Sequence, residues 1–254
     1  MRLRRNGGNV LAAELRRYTA TEMANRETRN ATKARAQAAI DATTHALTHG
    51  ALSEADWQRT VADTLAAAYL TEDDPRWQSG FDGDPELWRQ AREVILDAIP
   101  TPGSFLDVGC ANGHLIECLA VWTRERTLAL TMYGLELNPQ LAQLARQRLP
   151  ELAHHIYTGN AADWVPAQRF TYVRTGLEYA APGTEMMLIR HLLAAVVEPR
   201  GRLLVGPVNP EQRPTTMAAL TAAGISDGGT VHATDRNGKT RYVVWARRPD
   251  VPAV

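Results

Sequence analysis

Three short stretches combine residue types and spacings that can do chemistry. The first is Phe105-Leu106-Asp107-Val108-Gly109-Cys110-Ala111-Asn112-Gly113-His114-Leu115. An apolar run reaches an acid, turns through small residues, and resumes an apolar period through Leu115, Ile116 and Leu119. Small residues let a backbone approach a ligand, and the first N–H groups of the following helix have no partner within it. A ligand-binding turn is expected there. The second stretch is Tyr133-Gly134-Leu135-Glu136-Leu137-Asn138-Pro139, with Glu136 lying 23 residues beyond Gly113. A carboxylate at a strand end has two oxygens with which to accept a pair of ribose hydroxyls. The third is Tyr157-Thr158-Gly159-Asn160-Ala161-Ala162-Asp163-Trp164. Its amide and acid, Asn160 and Asp163, can both hydrogen-bond a base edge, and Trp164 either borders a base or belongs to the core.

The dinucleotide fingerprint requires glycines at relative positions one, three and six. Counted from Gly109, the third and sixth positions are Ala111 and His114, so that pattern is not met. The arrangement Asp107-Val-Gly109-Cys-Ala111-Asn-Gly113 instead resembles the acid-x-Gly-x-Gly-x-Gly turn of the class I S-adenosylmethionine-dependent methyltransferases, with alanine for the middle glycine. The resemblance covers about residues 100 to 248. It implies S-adenosylmethionine as cofactor, with S-adenosylhomocysteine as product. Asp107, Gly109, Cys110, Ala111 and Gly113 would form the cofactor turn, Glu136 and Leu137 the ribose site, and Asn160 and Ala161 the adenine loop. In that family an acid commonly stands where Asn160 stands here. Residues 1 to 98 lie outside the motifs. N-terminal helices often cover the cofactor in such enzymes, which makes Trp77-Gln78-Ser79-Gly80-Phe81 a candidate lid, with Ser79 and Gly80 at the cofactor. A packing loop anchored by Trp77 and Phe81 is the other reading.

Ligands of open α/β sheets bind beyond the C-terminal ends of the strands. After the fourth strand this brings Arg174-Thr175-Gly176-Leu177-Glu178-Tyr179 into reach. Glu178 or Tyr179 could orient or deprotonate a methyl acceptor, and Arg174 or Thr175 could hold the methionine end; loop solvation or a surface ion pair are the alternatives. His114 is a further candidate base, against a solvated helix position. No His, Cys, Asp or Glu spacing resembles a metal site, so no metal is expected. A Gly-x-Ser-x-Gly elbow, a full Gly-x-x-x-x-Gly-Lys-Ser/Thr phosphate loop and the Asn-Pro-Pro-aromatic signature of nucleic-acid amino-methylating enzymes are absent.

The elements that must position these residues are legible from periodicity. Strands are expected near 104–108, 133–137, 154–158, 170–174 and 202–206, separated by helices near 113–122, 139–148 and 184–197. A helix near 214–223 precedes β runs at 228–235 and 240–248, which flank Asn237-Gly238, a hairpin signal. The expected fold class is α/β, a doubly wound, mostly parallel seven-stranded sheet ending in an antiparallel hairpin. The division expected is 1–98 as an N-terminal helical cap and 99–254 as the cofactor-binding domain. Within the cap, a polar helix joined to the next at Thr43 and Thr44 precedes an amphipathic helix capped by Ser53, a loop over 71–85, and a helix capped by Asp84 with Pro85 in its first turn.

Across 254 residues the 28 basic and 28 acidic side chains balance, so no global cationic field makes nucleic acid the default partner. The balance is uneven: residues 1 to 40 hold nine Lys or Arg and three Asp or Glu. Two cysteines, Cys110 and Cys118, cannot build a disulfide framework, and no apolar run approaches the roughly 20 residues of a membrane span. A reduced cytoplasmic protein without membrane contact is expected. The activity expected is methyl transfer to a small-molecule acceptor, in keeping with specialised metabolism. One alternative is an RNA methyltransferase using the basic residues 2 to 35 as a phosphate-binding arm; another is a non-catalytic cofactor-binding subunit or regulator.

Overall fold

A computed structural model describes residues 7–248, with side chains from residue 27 onward. The chain opens with two helices, α1 (Gly7–Thr48) and α2 (Glu54–Tyr69). Thr43 and Thr44, expected as a break, lie inside α1. Thr43 Oγ1 donates back to the Ala39 carbonyl at 2.8 Å, and Thr44 Oγ1 accepts the Trp57 indole N–H at 3.0 Å, so both hydroxyls are bonded without interrupting the helix. The chain reverses instead at Gly50, whose φ of 73° suits glycine. Ser53 caps α2 as expected, its hydroxyl accepting the Asp56 N–H at 3.1 Å.

After a loop with one 3₁₀ turn at Trp77–Ser79, helix α3 (Pro85–Arg92) starts on Asp84, which accepts the Leu87 N–H at 2.9 Å. Then follow β1 (Gly103–Val108), α4 (His114–Glu125), β2 (Leu130–Glu136), α5 (Pro139–Arg148), β3 (Ile156–Thr158), β4 (Phe170–Thr175), α6 (Glu185–His191), β5 (Val197–Val208), α7 (Arg213–Ala222), β6 (Gly228–Thr234) and β7 (Thr240–Arg247). The helix expected over 184–197 is divided. Regular α6 gives way to a π turn over Leu192–Val196, and β5 begins at Val197, where two adjacent valines and Pro199 disfavour helix. The third strand is shorter than expected, because residues 150–155 form a 3₁₀ segment.

The seven strands form one sheet in the order β3-β2-β1-β4-β5-β7-β6, parallel except where β7 runs antiparallel to β5 and β6. The hairpin turns at Asp235, whose carboxylate accepts the N–H groups of Asn237 and Lys239 at 2.8 and 3.0 Å. Strand alternation divides the apolar residues between two faces. Phe105, Tyr172, Leu204 and Val243 meet α4 and the segment around Ile95, whereas Leu106, Val173, Leu203 and Val244 meet α6 and the helical residues after it. Both faces are therefore covered, and the reversal of strand order falls between β1 and β4. Helices α1 and α2 hold a separate, smaller cluster of Trp57, Val61 and Ala181, with Ile40, Leu47, Leu52 and Leu65 packed on it.

Candidate functional site

The turn after β1 uses left-handed backbone at alternate positions: φ is 72° at Gly109, 47° at Ala111 and 77° at Gly113. Alanine therefore occupies a conformation glycine would adopt without strain. The first glycine is also required by its neighbour, since a Cβ on Gly109 would run into the Tyr179 ring, whose hydroxyl donates to the Gly109 carbonyl at 3.4 Å. Gly113 abuts α5 through Leu149 and Ala145, and the Cys110 thiol is buried against Gly134. Burial, reinforced by Glu136 and Asp107, pushes that thiol well up, so Cys110 is packing and not a nucleophile.

Glu136 ends β2 and is 7% exposed. Its two oxygens accept the backbone N–H groups of Ala111 and Asn138, both at 2.9 Å. The carboxylate is thereby held against the glycine turn. Burial raises its pKa, and these backbone donors oppose the rise.

A cavity of about 780 Å³ opens here, at the C-terminal ends of the strands. Its wall includes Gly109, Ala111, Glu136, Leu137, Asn160 and Ala161 from the three sequence stretches. Ser79 also lines it, as do Glu178 and Tyr179 from the loop after β4. Asp107, Cys110, Gly113, His114, Arg174 and Gly80 stand off this wall.

Asp107 and Arg174 are engaged with each other. Arg174 Nη1 lies 3.1 Å from Asp107 Oδ1, and its Nε donates to the Gly206 carbonyl at 2.6 Å, so one buried guanidinium joins β1, β4 and β5. Burial pushes the Asp107 pKa up against the pull of Arg174. For Arg174 burial works against the charge, and Tyr179, Asp107 and Glu178 outweigh it. His114 turns away from the cavity: its ring stacks on Trp88 with centroids 5.0 Å apart, and Nδ1 lies 3.1 Å from Glu117. Burial lowers its pKa, with Glu117 opposing. Gly80, at φ 81°, packs under the Tyr69 hydroxyl.

The cover of the cavity is α2 with the end of α1, through Ile40, Trp57, Gln58, Val61 and Leu65. The candidate lid 77–81 reaches the cavity through Ser79, and its aromatic residues are packed elsewhere. Arg29 lies 4.1 Å from the Trp77 ring centroid, and Phe81 meets Trp88 edge-on at 5.3 Å. Buried Asn112 ties the loop down, donating to the Pro75 carbonyl at 2.9 Å and to Gln78 at 3.1 Å.

Sequence reasoning passed over Gln58, which is 7% exposed and whose Oε1 accepts Asn160 Nδ2 at 2.6 Å. The available signal was a polar residue between Trp57 and Val61 on an otherwise apolar helix face. Asp63, one turn further along α2, accepts Asn138 Nδ2 at 2.9 Å. Among the described residues, no group of three or more His, Cys, Asp or Glu is placed to hold a metal, and no helix is long and apolar enough to cross a membrane.

No protein-family profile matches the sequence, and no curated protein does. Solved structures do. The [4+2]-cyclase SpnF is 16% identical with a TM-score of 0.51, over 76% of this chain and 97% of its own. A protein described as an S-adenosyl-L-methionine-dependent methyltransferase from Methanococcus maripaludis is 12% identical with a TM-score of 0.50, over 64% of this chain and 85% of its own. Another, described as a class I S-adenosylmethionine-dependent methyltransferase from Listeria monocytogenes, is 11% identical with a TM-score of 0.50, over 80% of this chain and 71% of its own. The chain has the fold of the class I S-adenosylmethionine-dependent methyltransferases.

Proposed function

We propose that this protein transfers a methyl group from S-adenosylmethionine to a small-molecule acceptor. The observation that carries the choice of acceptor is the charge of the cavity wall: among the described residues it includes Glu136, Glu178, Glu185 and Glu211 and no Lys, Arg or His. Phosphate-rich acceptors are held by cations, which the described residues of this wall do not supply. Of the basic arm, residues 2 to 6 and the side chains up to 26 lie outside the described residues. Arg29 and Lys33 are turned inward onto Trp77, and Lys33 also pairs with Asp82 at 3.2 Å.

The residues present fit the cofactor. The turn at 109–113 offers a close backbone approach, and Glu136, fixed by two N–H groups, keeps lone pairs for a ribose diol. When bound, S-adenosylmethionine supplies an electrophilic methyl group on a cationic sulfur. The protein's own task is then alignment in a water-poor pocket, for which Trp57, Val61, Leu65 and Leu177 provide apolar wall. Glu178, on the cavity wall, would take a proton from the acceptor where one must leave. Tyr179 turns its hydroxyl to the Gly109 carbonyl, and burial raises its pKa, which suits it to packing under the turn.

Calorimetric titration with S-adenosylhomocysteine and with NADH tests this reading. The former alone binds, with an affinity on the order of micromolar, and Glu136→Ala weakens it by about 1–3 kcal/mol. Absence of binding by folded protein removes the proposal. Salt-sensitive RNA binding by the full chain would transfer it to RNA. A second reading, cofactor binding without methyl transfer, draws on the likeness to a protein named for cyclisation. It predicts S-adenosylhomocysteine binding with no methyl transfer to any small-molecule acceptor.

A further inference from the structure

The strand order splits the cavity wall into two halves. The turn after β1, Glu136 after β2 and Asn160 after β3 stand on one side of the reversal between β1 and β4, and they are the residues fitted to the cofactor. The other half is built around the ends of β4 and β5 and carries three further carboxylates: Glu178 after β4, Glu185 at the start of α6 and Glu211 after β5. Glu178 is folded against Gly176, whose missing side chain leaves it room at the end of β4. Glu178 and Glu211 are exposed and Glu185 is half-buried. Among the described residues, none of the three has an ion-pair partner. Arg174 and Arg92 feel the charge of Glu178 but stand off the wall, Arg174 bonded to Asp107 and Arg92 over the Phe81 and Trp88 rings.

Three carboxylates are more than one proton transfer needs, and their common field discriminates between acceptors. Methyl transfer to oxygen requires a hydroxyl to give up its proton and become more negative, which nearby carboxylates oppose. Transfer to an amine leaves positive charge on the nitrogen, which the same carboxylates favour. The wall holds its own example of the first case. The Tyr69 phenol, on this wall, is pushed up to about 12 by burial, with Glu178 and Glu136 adding to the rise. A phenol or alcohol acceptor would meet the same resistance to losing its proton.

We propose that the acceptor is an amine, taken up as its ammonium ion in the half of the cavity walled by Glu178, Glu185 and Glu211 and methylated at nitrogen. This rests on the cofactor reading above and narrows its acceptor by charge. The ammonium ion gives one proton to Glu178, and the lone pair so exposed forms the N–C bond to the methyl carbon. The S–C bond breaks with its electron pair left on sulfur, so the positive charge passes from sulfur to nitrogen. It thereby moves from the cofactor half of the cavity to the half where the three carboxylates stand.

The test uses three probes matched in shape and different in charge: phenethylamine, 2-phenylethanol and 3-phenylpropionate. Each is titrated by calorimetry into full-length protein saturated with S-adenosylhomocysteine. Wild type should bind the amine at least roughly fivefold more tightly than the alcohol, and the carboxylate most weakly. Glu185→Gln combined with Glu211→Gln should lower amine affinity by about fivefold and leave the affinities for the alcohol and for S-adenosylhomocysteine unchanged. If the thermal midpoint shows that the double variant has not folded, Glu211→Gln alone takes its place, since that residue is exposed. Supplied with S-adenosylmethionine, wild type should form N-methylphenethylamine and no methyl ether. An alcohol bound as tightly as the amine, no binding of any probe, or a variant that weakens amine and alcohol alike would overturn the amine assignment and leave the cofactor reading standing. Methyl transfer to the alcohol, or none to the amine, would do the same. Failure of folded wild type to bind S-adenosylhomocysteine overturns the cofactor reading, and the amine assignment with it.

Discussion

Glu136 keeps a carboxylate where charge is costly, and this sets the pH at which the site can work. Burial raises its pKa above the usual 4.5, and only the ionised form can accept both hydroxyls of a ribose. As pH falls through that raised value the acceptor is lost, so affinity for S-adenosylhomocysteine should decline by up to about tenfold per pH unit, starting above the range of an ordinary glutamate. Calorimetry between pH 8 and pH 4.5 checks this; constant affinity across that range would contradict it. Ala111 offers a second measurement at this scale. Its left-handed φ of 47° costs about 1–2 kcal/mol, of which the greater chain entropy of glycine would return about 0.5–1. Ala111→Gly should therefore leave stability unchanged or raise it by up to about 1.5 kcal/mol in denaturant unfolding. These turn residues were legible because their requirements are local. The role of Arg174 was not: its position near the strand ends could be read, but its partner Asp107 is 67 residues away and becomes a neighbour only through the pairing of β1 with β4.

Three asparagines, following β1, β2 and β3, join the cover to the sheet. Asn112, Asn138 and Asn160 each use Oδ1 on a nearby backbone N–H and Nδ2 on the segment 58–78. The apolar cluster beneath α1 and α2 is small, so these polar bonds set where the cover sits. Asn112→Ala removes bonds to Pro75, Gln78 and His114 from a fully buried position, and should cost about 1–3 kcal/mol. The loop over 71–84 should then become the first site of limited proteolysis; cleavage rates equal to wild type would argue that Trp77 and Phe81 hold it without Asn112. Helix caps, strand alternation and the Asn237-Gly238 hairpin could be read in advance, because each is encoded within a few residues. The identity of the cover could not. Trp77 and Phe81 suggested a lid by composition; their rings meet Arg29 and Trp88, and Ser79 is the residue of that loop on the cavity wall, beside α1 and α2.

On the scale of the whole molecule, the doubly wound topology puts the reversal of strand order between the parallel strands β1 and β4, and there a buried ion pair ties β1 to β4, with the same guanidinium reaching β5. The alternation of helix and strand made the sheet readable, whereas the cavity wall is gathered from α1, α2, α6, α7 and the loops after the strands, a grouping no periodicity encodes. The Asp107–Arg174 pair belongs to the first category of feature, the fold, more than to the second. Breaking it should show as a loss of global stability. Arg174→Met leaves Asp107 buried without its cation and should cost about 3–5 kcal/mol at neutral pH, whereas Asp107→Asn combined with Arg174→Met should cost less than the single change, since no uncompensated charge remains. The pH dependence has a definite sign. An aspartate whose folded pKa lies above the unfolded 3.8 binds more protons in the folded state over the interval between the two, so folding gains stability as pH falls through it. Removing Arg174 takes away the group that opposes this rise and widens the interval. The deficit of Arg174→Met relative to wild type should therefore shrink on acidification from pH 7 toward pH 4.5, read from urea unfolding at several pH values. A deficit that stays constant with pH would mean that the loss comes from the Gly206 contact and side-chain packing, and that the charge on Asp107 is not what Arg174 compensates.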